Sequence, residues 1–352
     1  MRLSSQLDIQ IEDVEHSLMQ QAQARLDHLT KPLGSLGRLE SLAKQIVGIT
    51  RTATPRLSQK VIITMAADHG VAQAGVSAYP QVVTQQMVAN FLRGGAGINV
   101  LARHVGARVV VVDMGVAGDL PSHPDLVSRK IGYGTRNITQ GPAMTTEQAC
   151  AAIQTGRDIV VHEVARGVDI IGTGDMGIGN TTASSAITAA MTGTPVEQVT
   201  GRGTGIDDST YARKLYAIQQ ALAVNMPDPS DPLDVLTKVG GFEIAGLVGV
   251  ILGGAQARLP VVVDGFISGA AALIAVGLES RVKNYLLASH LSQEPGHCRV
   301  LESLGLKPLL DLDLRLGEGT GAALAISLAE AACKVLTEMT TFEEAGVAGK
   351  VT

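Results

Sequence analysis

The chain has no tryptophan, only five tyrosines and four phenylalanines in 352 residues, and three cysteines. So few aromatic rings exclude the stacking platforms that single-stranded nucleic acids need, so any bound heterocycle must lie mainly between aliphatic walls. No dense basic block occurs, and 28 Lys+Arg against 33 Asp+Glu leave a net charge of −5. A nucleic-acid partner is therefore not expected. Cys150, Cys298 and Cys333 lie far apart without CxxC spacing, which argues against a disulfide framework or thiolate zinc site and fits a reducing compartment. The opening MRLSSQLDIQIEDVEH carries acids where an export signal would be apolar, so a cytoplasmic location is expected. The most apolar run, 244–257, contains four glycines and falls short of the roughly 20 residues of a membrane span, so none is expected.

What the chain does have is glycine, 40 residues of it, and a change of texture near residue 58. Residues 9–52 read as two amphipathic helices broken by KPLGSLGR at 31–38, with Ser35 placed to cap the second. Beyond residue 58, short β-branched runs alternate with Ala/Gly-rich stretches, the pattern of an α/β domain. Strands are predicted at 61–66, 108–113, 168–172, 259–264, 284–289 and 309–314, most of them apolar on both faces. Helices are predicted at 85–104, 146–166, 181–192, 208–224, 241–257 and 319–336, and the Pro- and Asp-rich segment 226–232 is a surface connection.

In a parallel sheet, ligands bind at the carboxyl ends of the strands. The residues there are Asp68-His69-Gly70, Asp113, Thr173-Gly174-Asp175, Asp264-Gly265, Ser289 to Ser292 and Gly317-Glu318-Gly319. The stretch GTGDMGIGNTT (172–182) follows a strand and opens a helix, where bare backbone amides and the helix dipole suit a phosphate. It also satisfies GxGxxG, but the acid about 20 residues on, Glu197, lies in a segment too short for the second strand of a dinucleotide fold, so a mononucleotide is preferred. A second glycine loop, TGRGTGIDD (200–208), precedes a helix that carries Lys214, which either reaches a phosphate or is solvated; Arg202 is equally open. Glu318 stands among glycines before an apolar helix, as a proton acceptor or as a cap. Burial would raise its pKa and the helix dipole would lower it. Asp68 and His69, with Asp113 and His290, lack HxxxH or HxH spacing, so a structural or pocket-lining histidine is preferred to a metal ligand. The loop 75–81 and Gln85 offer apolar and hydroxyl groups suited to a flat, weakly polar molecule, or form an ordinary surface loop.

Seven segments together, KPLGSLGRLE (31–40), AADHGVAQAGVSAYP (66–80), GDMGIGNTT (174–182), RGTGIDD (202–208), DGFISGAA (264–271), SHLS (289–292) and LRLGEGTGAALA (314–325), resemble one family over nearly the whole chain. It is the nicotinate-nucleotide:dimethylbenzimidazole phosphoribosyltransferase family of cobalamin lower-ligand synthesis. The resemblance implies a Rossmann-like six-stranded parallel sheet flanked by helices. It also implies a large domain over 59–325, a small helical domain made from 1–58 and 326–352, and a homodimer. The implied substrates are nicotinate mononucleotide and 5,6-dimethylbenzimidazole, with no cofactor and no metal. Its catalytic carboxylate falls on Glu318. Its phosphate and ribose cradle falls on Asp175, Gly177, Ile178, Gly179, Asn180, Thr181, Gly203, Lys214, Ser292 and Gly317, and its base pocket on Ser77, Tyr79, Pro80, Gln85, Met176 and Leu316. Two departures are Asp175, where the family commonly has Glu, and Leu33, where a second proline is common.

Overall fold

The computed structural model describes residues 9–348. In chain order the elements are α1 (His16–His28), α2 (Arg38–Thr50), β1 (Lys60–Ala67), α3 (Val82–Leu92), α4 (Gly97–Val105), β2 (Ala107–Gly115), β3 (Leu126–Ser128) and α5 (Thr146–Ala165). They continue with β4 (Ile170–Met176), α6 (Asn180–Thr192), α7 (Val196–Val199), α8 (Asp208–Asn225), α9 (Pro232–Val239) and α10 (Phe242–Gln256). The last are β5 (Val261–Val263), α11 (Phe266–Leu278), β6 (Leu286–Ala288), α12 (Pro295–Leu304), α13 (Thr320–Glu338) and α14 (Phe342–Ala345).

The six strands form one parallel sheet in the order β3-β2-β1-β4-β5-β6. All eight residues of β1 are buried, as a strand covered on both faces must be. Alternation divides β1 between two cores. Val61, Ile63, Met65 and Ala67 join α5, α10 and α11 on one face, whereas Ile62 and Ala66 join α1, α2, α4 and α13 on the other. Helices α5 and α10 cross at glycines, where a Cβ on Gly156 would stand 2.0 Å from the Gly246 carbonyl oxygen. The chain reverses direction across the sheet between neighbouring β1 and β4, and this leaves a crevice beyond their carboxyl ends.

The expected strand 309–314 is absent. Only one parallel bridge, His290 to Leu310, forms there, because the alternating leucines are not buried on both faces and Leu312 is exposed. The sixth strand is instead β3, a three-residue edge piece that is half-exposed. The helix expected over 85–104 is two helices, α3 and α4, parted at Gly94-Gly95 with Gly94 at φ +76°. Ser35 does not cap α2. Gly37 occupies that position without a side-chain bond, and the Glu40 carboxylate receives the Leu36 amide at 3.0 Å and pairs with buried Lys31 at 2.8 Å. Helices α9, α11 and α12 lie outside the helical stretches expected from the sequence.

Helix α1 and the segment at the end of α13 meet in space. The Arg25 guanidinium donates to the Leu336 and Met339 carbonyls at 2.8 and 3.3 Å, and Leu29 bridges Thr341. The boundary expected after residue 325 lies inside the continuous helix α13. Parts of both expected terminal segments, 1–8 and 349–352, lie outside the described residues. By length and composition α13 is the one described helix apolar enough to cross a bilayer, yet it packs on α2, α4 and β4 in the core.

Candidate active site

A cavity of about 290 Å³ opens at the reversal point, between the carboxyl end of β4 and the loops that follow β5 and β6. Its floor is Asp175, Met176, Gly177 and Ile178, with Asn180 and Thr181 from the first turn of α6. Gly179 sits at φ +98° as the N-cap of α6, which suits glycine. Gly177 passes so close to β1 that a Cβ would lie 2.3 Å from the Ala67 carbonyl oxygen. The α6 N-terminus thus presents backbone amides and partial positive charge to the cavity.

The second glycine loop closes this end. Lys214, buried on α8, donates to Thr181 Oγ1 and to the Gly201 carbonyl, both at 2.9 Å. Burial lowers its pKa to about 8, opposed by the nearby Glu294 carboxylate. The Gly203 amide donates to Glu294 Oε1 at 2.8 Å, and Arg315 donates to the Gly203 carbonyl at 3.1 Å. Arg202 turns away to the Ile206 carbonyl at 2.8 Å and to Asp208.

Glu318 occupies the left-handed region, at φ +65°, between Gly317 at +81° and Gly319 at +99°. Its amide donates to the Asp175 carbonyl at 3.2 Å, and its carbonyl receives the Thr64 hydroxyl at 3.0 Å, so β1 and β4 both hold its backbone. Oε2 accepts the Ile98 amide at 3.0 Å, and Oε1 has no hydrogen-bond partner among the described residues. Burial raises the pKa of this carboxyl, and the Ile98 amide only partly offsets it. Glu318 does not cap its own helix; Gly319 is the N-cap of α13. Asp264 does that work from β5, receiving Gly319 N at 3.2 Å and Ala322 N at 2.9 Å. Burial raises Asp264 to about 7 against those bonds, and raises Asp175 well above the carboxylate range, helped by Asp264 and Glu243.

A family model described as phosphoribosyltransferase matches residues 11–347. A nicotinate-nucleotide–dimethylbenzimidazole phosphoribosyltransferase from Roseiflexus sp. (strain RS-1) is 61% identical over 351 residues, covering 100% of this chain and 99% of that relative. The same-named enzyme of Chloroflexus aggregans is 63% identical over 94% of this chain and 93% of its own length. The crystal structure of the enzyme so named from Thermus thermophilus superposes with a TM-score of 0.91 at 48% identity, covering 96% of this chain and 100% of that one. The chain belongs to the nicotinate-nucleotide–dimethylbenzimidazole phosphoribosyltransferase family. It is an enzyme of that family, on the expected α/β fold.

Within this phosphoribosyltransferase, the cavity gathers Asp175, Met176, Gly177, Ile178, Asn180, Thr181, Gly203, Ser292, Leu316, Gly317 and Tyr79 from the expected set. Gly179 and Lys214 stand immediately behind it. The Asn180 side-chain Nδ2 donates to Asp175 Oδ2 at 2.9 Å, so the shorter acid at 175 fixes the first residue of α6. Glu318 does not form the cavity wall itself; its neighbours Leu316 and Gly317 do. Ser77, Pro80 and Gln85 also stand outside the cavity. Ser77 Oγ receives the Tyr79 amide at 3.2 Å, Pro80 is exposed, and Gln85 donates to the Asp119 carbonyl at 2.7 Å.

Outside the set implied by the resemblance, the cavity is also lined by Thr204, Gly265, Phe266, Ile267, His290, Glu294 and Arg315, and Asp264 lies beside it, holding Gly319. Asp264 and His290 follow directly after strands, and that position was the available signal. Asp68 and Asp113 serve the backbone instead, receiving Ala117 N at 2.8 Å and Val116 N at 2.9 Å respectively, and His69 meets buried Glu243 at 2.6 Å.

Proposed function

We propose that the enzyme transfers the 5-phosphoribosyl group of nicotinate mononucleotide to 5,6-dimethylbenzimidazole, giving α-ribazole 5′-phosphate and nicotinate, in assembly of the cobalamin lower ligand. The observation that carries this reading is the meeting of two unlike features at one crevice. One is a glycine-bordered helix start backed by buried Lys214, and the other is the desolvated carboxylate of Glu318, next to the cavity-lining Leu316 and Gly317, with Oε1 unpartnered among the described residues.

The α6 amides and Lys214 hold the 5′-phosphate, with Gly203, Ser292 and Asp175 toward the ribose. The nicotinate ring nitrogen is cationic in the nucleotide, so it leaves as a neutral pyridine nitrogen without protonation. One benzimidazole nitrogen attacks C1′ from the opposite face, and positive charge grows on the azole. Glu318 Oε1 takes the proton from the other nitrogen, with Oε2 anchored on Ile98. A single displacement inverts the anomeric centre from β to α. Tyr79, Met176 and Leu316 at the mouth, with Ser77, Pro80 and Gln85 in the loop behind, receive the flat base, and holding both rings in line supplies much of the remaining acceleration.

The same proposal includes a homodimer, supported by the exposed apolar residues Tyr79, Val82, Val100 and Leu316. It also includes a cytoplasmic location, supported by three unpaired thiols. The packing of α1 on the last turn of α13 supports a small helical domain made from 1–58 and 326–352, with 59–325 as the large domain. Incubating the protein with both substrates and following nicotinate and the α-nucleotide by chromatography tests the activity. Product is expected; binding of the nucleotide without release of nicotinate would identify a sensor instead.

A further inference from the structure

His290 stands just beyond β6, 1% exposed, and lines the cavity. Counting hydrogens fixes its tautomer. The Ser289 hydroxyl lies within hydrogen-bond distance of the Asp264 carbonyl oxygen, which can only accept, so the one hydroxyl hydrogen is committed there. The same Oγ lies 2.9 Å from His290 Nδ1 and can only receive from it. Burial pushes the imidazole down to about 4, so near pH 7 the ring is neutral and its single proton is on Nδ1. Nε2 is then a bare lone pair, and no described residue donates to it. Gly265, which also lines the cavity, leaves that edge open, since a Cβ there would stand 3.5 Å from Nε2 and 3.3 Å from Cε1.

A fixed acceptor needs a donor. The phosphate dianion and the nicotinate ring carry none, and the azole N–H goes to Glu318, which leaves the sugar hydroxyls. We propose that His290 Nε2 accepts a hydrogen bond from a ribose hydroxyl of the nucleotide and so sets sugar specificity, with Ser289 as the positioning residue that fixes the tautomer. This rests on the phosphoribosyl-transfer reading of the cavity.

The test compares nicotinate mononucleotide with its 2′-deoxy and 3′-deoxy analogues in wild type, His290→Phe and Ser289→Ala, alongside nitrogen-15 NMR of the histidines. In wild type one deoxy analogue should lose about 10- to 100-fold in kcat/KM, as expected for an unpaired buried acceptor. That penalty should shrink to about threefold or less in His290→Phe and be reduced in Ser289→Ala. An undiminished penalty in His290→Phe, or a rise in KM for the base alone, overturns the proposal. Should the phenylalanine variant not fold, the wild-type spectrum decides. An unprotonated Nε2 whose resonance moves on saturation with nucleotide supports the assignment, and a protonated or unmoved Nε2 overturns it. Failure of the transfer reading is separately visible as wild type that makes no product, and the spectrum with nucleotide still decides the contact.

Discussion

Glu318 and Ile98 are joined by a 3.0 Å hydrogen bond from the Ile98 amide to Oε2, which ties the carboxylate emerging from the β4 rim to the first turn of α4. The bond orients the carboxylate without neutralising it, and leaves Oε1 without a hydrogen-bond partner among the described residues.

Glu318→Gln keeps this amide bond and removes the base. We expect turnover to fall by about 10²- to 10⁴-fold, with nucleotide affinity and Tm close to wild type. Steady-state kinetics and calorimetric titration check this; turnover at the wild-type rate would remove Glu318 from the mechanism.

Because burial raises the Glu318 pKa, activity should climb with pH through a midpoint above that of an ordinary glutamate, since the base works only when deprotonated. Lys214, lowered to about 8, loses its charge as pH passes that value, so KM for the nucleotide should rise on the alkaline side. Lys214→Met should raise KM at pH 7 and remove the alkaline rise. A pH-independent KM in wild type up to pH 9.5, on the order of one and a half units past Lys214's midpoint, would contradict the role.

Asp175 and Asp264 have folded-state pKa values raised above the unfolded value. The folded state therefore holds protons the unfolded chain has released, and stability conferred at low pH is lost as pH rises through about 7, where Asp264 ionises. Thermal melts should show a lower Tm at pH 8 than at pH 5.5, and Asp175→Asn should flatten that slope. A Tm that rises over this interval in wild type would refute the assignment.

Gly174→Ala directs a methyl 2.3 Å from the Glu318 carbonyl oxygen, where rigid backbone must shift. Destabilisation of about 1–3 kcal/mol, read by chemical denaturation, should accompany a fall in kcat larger than the change in nucleotide KM.

Much of the sheet was readable because parallel strands covered on both faces are nearly continuous apolar runs, as Val61 to Ala66 shows. β3 was not, since Leu126–Ser128 is too short and half-exposed to differ from a loop. At 309–314 the alternating leucines imitate a strand without burying one. The glycine loops bordering the cavity were readable because glycines at positive φ, such as Gly179 and Gly203, leave a mark in the sequence. Lys214 was open because its partner Thr181 lies 33 residues away, and burial, which decides its role, is a tertiary property. The sign of the Glu318 shift depended on desolvation outweighing the amide bond, which the fold alone determines. His290 carried its position after β6 in the sequence, but its tautomer depends on Ser289 and the Asp264 carbonyl meeting in space.

One rod runs from beside Glu318 to the N-terminal helix α1. Helix α13, 19 residues long, spans about 28 Å at a rise of 1.5 Å per residue. It begins two residues after Glu318 and finishes against Arg25 without a break. A hingeless strut of this kind transmits any tilt of its far end to Glu318, so loosening the last turn of α13 should lower activity before the sheet itself melts.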